Sequence, residues 1–136
     1  MATTVKKVAY FAMDVPNRAG QGAKLLGALA DRGVNLLAFS GFPNGKKAQL
    51  DFIPEDAAVF KKAVKAAKLT TRPQKYGFLI QGDDRKGAVA KILKKLSDKK
   101  INVTAIDAVS AGKDRFAAIL FVAQKDVTRA ARALKA

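Results

Sequence analysis

The sequence predicts an α+β protein: two tandem ferredoxin-like units, each an antiparallel sheet with helices packed on one face. Three observations lead there. The chain repeats its own pattern 67 positions along without a gap, so that Arg18, Gly20 and Asn35 fall on Arg85, Gly87 and Asn102. Each half reads strand, helix, strand, strand, helix. The 136 residues divide into two units near the lower size limit for independent folding. The expected division is 1–70 and 71–136, and the functional site is expected between the copies.

The elements follow in order. Ala9, Phe11 and Met13 alternate as a half-buried strand does, and Tyr76, Phe78 and Ile80 repeat the pattern. After a polar, glycine-bearing loop, Val89, Ile92, Leu93 and Leu96 take the spacing of one helix face, and Gly22, Leu25, Leu26 and Leu29 hold the same places earlier. Residues 35–42 and 102–109 read as second strands. Turns at Pro43-Asn44-Gly45 and Ala111-Gly112-Lys113 lead into third strands at 48–53 and 116–123, which close two hairpins. Second helices follow, with Phe60, Ala63, Val64 and Ala67 matched by Val127, Ala130, Ala131 and Leu134, and Pro54 suits the opening turn of the first. The order calls for a fourth strand. Leu69 to Pro73 is its candidate in the first unit. In the second unit the last helix runs into Ala136, so the fourth strand is expected to be missing and the sheet edge open to another chain.

Composition narrows the chemistry. Cysteine and histidine are absent, which removes disulfides, thiolate chemistry, the commonest nitrogen metal ligand and the usual proton shuttle. An enzyme is therefore disfavoured, and neither a metal nor another cofactor is expected. No apolar run approaches the roughly 20 residues that span a bilayer, so a soluble, cytoplasmic protein is expected. The formal charge of +15 points two ways. Lys61, Lys62, Lys65 and Lys68 line the polar side of one helix, and Lys91, Lys94, Lys95, Lys99 and Lys100 line another. Such stripes either solvate a helix face or meet a polyanion.

The residues that recur carry the candidate site. Gly20 and Gly87 stand where strand gives way to helix. A glycine there serves a tight turn, or lets the first helical N–H groups receive an anion. Asn35 and Asn102 begin the second strands, and an amide there satisfies local backbone or meets both charges of a zwitterion. Arg18 and Arg85 are either solvated or a fork for a carboxylate. Asp14, Asp83 and Asp84 suit a helix cap better than an ammonium partner.

The turn Asn17-Arg18-Ala19-Gly20 and its twin Asp84-Arg85-Lys86-Gly87 each precede an Ala-Lys-(Leu/Ile)-Leu helix. Each helix leads to Val34-Asn35-Leu36 or Ile101-Asn102-Val103. In these features the chain resembles a tandem pair of ACT domains, regulatory modules that bind amino acids. Ala19 and Lys86 replace the family's usual proline, and Lys100 stands where it often has glycine. The resemblance implies a non-enzymatic, allosteric amino-acid sensor whose ligand lies between the repeats. By the same resemblance Asp14 to Gly20, with Asn17, Arg18 and Ala19 among them, would work with Asn102, and Gln81 to Gly87, with Asp84, Arg85 and Lys86 among them, would work with Asn35. The implied partner is a second copy, as in a dimer, or a regulated metabolic enzyme. The competing reading is a basic nucleic-acid-binding protein, since the RNA-recognition fold shares this element order. The third strands lack the aromatic run on which that fold stacks bases.

Overall fold

A computed structural model describes residues 3–136, which form ten regular elements and a short 3-10 turn. In order they are β1 (Thr4–Pro16), α1 (Gln21–Ala30), β2 (Leu36–Asn44), β3 (Lys47–Pro54), α2 (Ala57–Ala66), β4 (Lys75–Asp83), α3 (Ala88–Ser97), β5 (Val103–Gly112), β6 (Arg115–Val122) and α4 (Val127–Leu134), with the 3-10 turn at Gln124–Asp126. Residues 9–75 form one compact unit. Residues 76–136 form the other, together with the start of the chain up to Val8.

In the first unit the strand order is β2-β3-β1, both ladders antiparallel. Alternation along β1 sends Phe11 and Met13 into a core completed by Leu50 and Phe52 of β3, Leu25 and Leu29 of α1, and Phe60 and Val64 of α2. Three phenylalanines centre it. The Phe60 ring lies 4.8 Å from that of Phe11 and 5.5 Å from that of Phe52, within the range where aromatic pairs add to burial. Helix α2 opens at Ala57, not at Pro54, which ends β3. Asp56 caps it, its Oδ1 accepting from the N–H groups of Ala58 and Val59 at 2.9 and 3.2 Å. Leu69 to Pro73 form no strand. Arg72 touches the sheet through one main-chain bond, its N–H donating to the Ala12 carbonyl at 2.8 Å.

In the second unit β6 lies between β4 and β5 in antiparallel ladders, and the far side of β4 is taken by β1. Strand β1 is 13 residues long, and its first part, Thr4 to Val8, belongs here. The Thr4 hydroxyl donates to the Gln81 carbonyl at 3.4 Å, and Val5 packs against the core of Phe78, Ile80, Ile92, Leu96 and Leu120. The expected open edge beside β4 is thus covered, because a fourth strand comes from the other end of the sequence. The unit divides from its neighbour at Val8 and Lys75 and not at residue 70. Gln124 fastens the start of β4, its amide exchanging two 3.0 Å hydrogen bonds with the main chain of Tyr76.

The internal repeat is visible in the backbone. Left-handed residues recur at Gly20 and Gly87, Gly33 and Lys100, Gly45 and Gly112, and Lys68 and Lys135, all 67 apart. The third strands break that register. Phe11 pairs with Phe52, whereas Phe78, 67 positions on from Phe11, pairs with Leu120, one residue beyond the expected partner. The extra residue enters at the second hairpin, where the ladder shifts between Ser110 and Gly112 and both Lys113 and Asp114 take positive φ. The repeat is therefore not gap-free. The shift is taken back before α4, so its core face still matches that of α2.

Candidate functional site

In both units the first strand ends in a turn whose glycine is left-handed, Gly20 at φ 85° and Gly87 at φ 79°, and sits directly before the helix. Neither helix has a side-chain cap or an acidic residue in its first turn. The first helical N–H is taken in each turn, that of Gln21 by the Arg18 carbonyl at 3.3 Å and that of Ala88 by the Arg85 carbonyl at 3.1 Å, so the next two N–H groups are the donors left at the positive end of each helix dipole. Asp14 and Asp84 cap nothing, contrary to the sequence reading.

The two turns differ in what surrounds them. In the first unit Asn17, Arg18, Ala19 and Gly20 are exposed, and the turn is closed by main-chain bonds from Arg18 to Pro16 at 3.0 Å and from Gln21 to Arg18 at 3.3 Å. Asp14 accepts from Arg72 with both oxygens, at 2.7 Å from Nη2 and 3.2 Å from Nε. In the second unit Asp84, Arg85 and Gly87 border a cavity of about 300 Å³ that is also lined by Ala108, Val109 and Ser110 of β5 and by Phe116, whereas Lys86 does not line it. Ser110 donates to Asp84 Oδ2 at 3.2 Å, and the Asp84 N–H donates to Asp114 at 2.8 Å. Asp83 is held from two sides, by Arg115 at 3.0 Å and Arg85 at 3.8 Å.

The asparagines lie elsewhere. In the first unit Pro16, at the turn, is level with Lys47 of β3, whereas Leu36, next to Asn35, is level with Pro54. In the second unit Asp83 is level with Arg115 and Val103 with Val122. Seven strand residues separate the two levels in each case, about 23 Å at strand rise. No unit brings its own turn to its own asparagine. Asn35 is tied locally, its amide donating to Glu55 at 3.2 Å while its carbonyl accepts from the Glu55 N–H at 2.9 Å. Asn102 is exposed and its amide makes no hydrogen bond among the described residues.

Sequence reasoning missed Arg72, Ser110 and Arg115, which orient the three acids. Nothing local marks them, since each acts on a residue at least 26 positions away. Among the described residues no group of three or more His, Cys, Asp or Glu gathers as metal ligands, and no helix is long and apolar enough to cross a membrane.

No protein-family model matches the chain, and no curated protein matches it in sequence. Solved structures do. Protein BT0572 from Bacteroides thetaiotaomicron is similar over 96% of this chain and 88% of its own, at 19% identity and a TM-score of 0.81. The regulatory subunit of aspartate kinase from Thermus thermophilus, in its ligand-free form, is similar over 99% of this chain and 95% of its own, at 18% identity and a TM-score of 0.66. The corresponding subunit from Thermus flavus gives 20% identity and a TM-score of 0.61 over the same shares. At these identities the likeness establishes the fold, an ACT-like α+β architecture, and two of these three neighbours are regulatory subunits, not catalytic ones.

Proposed function

We propose that the chain is a non-enzymatic regulatory protein built of two tandem ACT-type domains, and that it binds a free amino acid at its glycine turns. One observation carries the reading: an uncapped helix start behind a left-handed glycine, present twice, and in the second unit set against a cavity of about 300 Å³. The ligand's carboxylate takes the N–H groups at the head of α3, where the dipole favours negative charge. Its ammonium takes the Asp84 oxygen that Ser110 leaves free. Asp14, with both oxygens on Arg72, is not needed for this.

The proposal assigns the amide contacts across the repeats, the turn of Asp14 to Gly20 working with Asn102 and that of Asp84 to Gly87 with Asn35. Binding acts by favouring one arrangement of the repeats over another, and it shifts that balance only by its difference in affinity. A second copy or a metabolic enzyme reads out the change.

A thermal-shift screen against the protein amino acids tests the reading. One amino acid at about 100 times its Kd should stabilise the fold by about 2.7 kcal/mol. Asn35→Ala should weaken that ligand about tenfold, with no more than about 1 kcal/mol lost in unfolding for the amide bond to Glu55. No stabilisation by any of them refutes the sensor. Tight, salt-dependent RNA binding in its place selects the nucleic-acid reading.

A further inference from the structure

A second cavity of this unit shares only Arg85 and Ala88 with the proposed amino-acid pocket. It measures about 590 Å³ and opens between the start of β1, one flank of α3 and the end of α4. Three separate elements deliver cations to it: Arg85 and Lys86 from the turn, Lys91 and Lys95 from successive turns of α3, and Lys135 from just past α4. Its one carboxylate, Asp83, is already engaged by Arg115 and Arg85.

Elsewhere on these helices two of the three remaining cations are paired, and Arg132 of α4 has no ion-pair partner among the described residues. Lys94, on another flank of α3, pairs with Asp98, and Arg129 of α4 pairs with Asp126. Lys86, Lys91, Lys95 and Lys135 have no ion-pair partner among the described residues. The internal repeat supplies a comparison within the molecule. At the five places 67 residues earlier stand Arg18, Ala19, Lys24, Ala28 and Lys68. Two of the five cations are therefore peculiar to this unit, and both of those face the cavity. Like charges brought together around an empty space repel, and a polyanion placed among them removes that repulsion.

The floor is not charged. Val5, Ile92 and Leu134 line it, and Thr3 and Thr4 stand at its edge. A volume of this size falls in the range of small-molecule sites. We propose that this cavity binds a small organic polyphosphate of nucleotide size, its phosphates among Lys86, Lys91, Lys95 and Lys135 and its apolar part on Val5, Ile92 and Leu134. Lysine suits a phosphate as a point charge. The site goes beyond the amino-acid reading and stands without it.

Isothermal titration calorimetry with adenosine triphosphate tests this, alongside inorganic tripolyphosphate. The nucleotide should bind more tightly than tripolyphosphate, and equal binding overturns the organic ligand. Lys91→Gln/Lys95→Gln, at two exposed positions, should weaken the nucleotide about 30-fold. Lys46→Gln/Lys62→Gln removes the same charge from exposed positions elsewhere and should weaken it less than about threefold. Equal losses in the two variants, or no binding at about 1 mM nucleotide, overturn the proposal. So does single-stranded RNA that binds where the nucleotide does not. Neither Lys91 nor Lys95 lines the smaller cavity, so any amino-acid stabilisation should survive their replacement. Loss of nucleotide binding and loss of the amino-acid response are thus separate results.

Discussion

Gly82→Ala is the most direct test of the strand that β1 lends to the second unit. A methyl on Gly82 would lie 2.9 Å from Cε1 of Phe116, 2.5 Å from the Thr3 hydroxyl and 3.2 Å from Thr3 Cα. Carbon atoms at rest stand about 3.5 to 4.0 Å apart, so something has to move. Phe116 is 4% exposed and fixed in the core, which leaves the beginning of the chain to give way. Overpacking of this kind costs about 1 to 3 kcal/mol, and about 2 kcal/mol is expected here. Urea unfolding measures it, with Thr3→Gly as the second arm of a cycle. Without the Thr3 hydroxyl, only Phe116 and the Thr3 backbone resist, and the cost of Gly82→Ala should fall to about 1 kcal/mol. That is a coupling of about 1 kcal/mol between positions 3 and 82. Gly87→Ala makes the same chemical change where no atom lies within 4 Å, and it should cost only the left-handed penalty of about 1 kcal/mol whatever occupies position 3. If Gly82→Ala costs the same in both backgrounds, Thr3 does not lie over β4 and the borrowed strand is wrong.

Four further outcomes follow from single contacts. Lys100 holds φ 58° where its counterpart is Gly33 at φ 80°, so Lys100→Gly should raise stability by about 1 kcal/mol in urea unfolding. Gln124→Ala removes both amide bonds to Tyr76 and should cost about 1 to 2 kcal/mol in the same assay. Leu96, fully buried in the second core, should cost about 2 to 5 kcal/mol as Leu96→Ala. Burial first, then the nearby Asp51 carboxylate, raise the Tyr10 pKa above 10.0, against a smaller opposing effect of Arg72. A folded-state pKa above the unfolded one means that stability is intact below pH 10.0 and is lost as pH rises through the folded value. Ultraviolet phenolate titration should show a late phase that Tyr10→Phe removes.

Periodicity placed the helices and the core because those signals are local. Ile92 and Leu96, or Leu25 and Leu29, are buried for the reason their spacing suggests. The third strands were legible as strands but not in register. One extra residue in a hairpin leaves the alternation intact within the strand and shifts only what it pairs with, which is information shared between two segments. The first strand was half read. Ala9, Phe11 and Met13 signalled their unit, while Thr4 to Val8, with Lys6 and Lys7 between them, gave no strand signal, since only Val5 among them packs against the second core.

The candidate site follows the same division between local and distant information. The glycine turns were legible, since a turn is decided by a few adjacent residues, but the bare helix ends were not, because Asp14 and Asp84 were expected to cap them. The state of each acid was not. Asp14 and Asp84 belong to similar loops, yet Arg72 saturates the first and Ser110 half-occupies the second, and both partners arrive from other strands or connections. The contrast bears on how two repeats divide a task. If the cavity beside Gly87 takes the ligand while Asp14 remains locked to Arg72, the two turns are unequal and one ligand per chain is expected. Arg72→Ala should then free Asp14, and calorimetry should report whether a second molecule binds. A stoichiometry of one in both proteins would mean that the Asp14–Arg72 pair is structural and has no part in excluding ligand from the first turn.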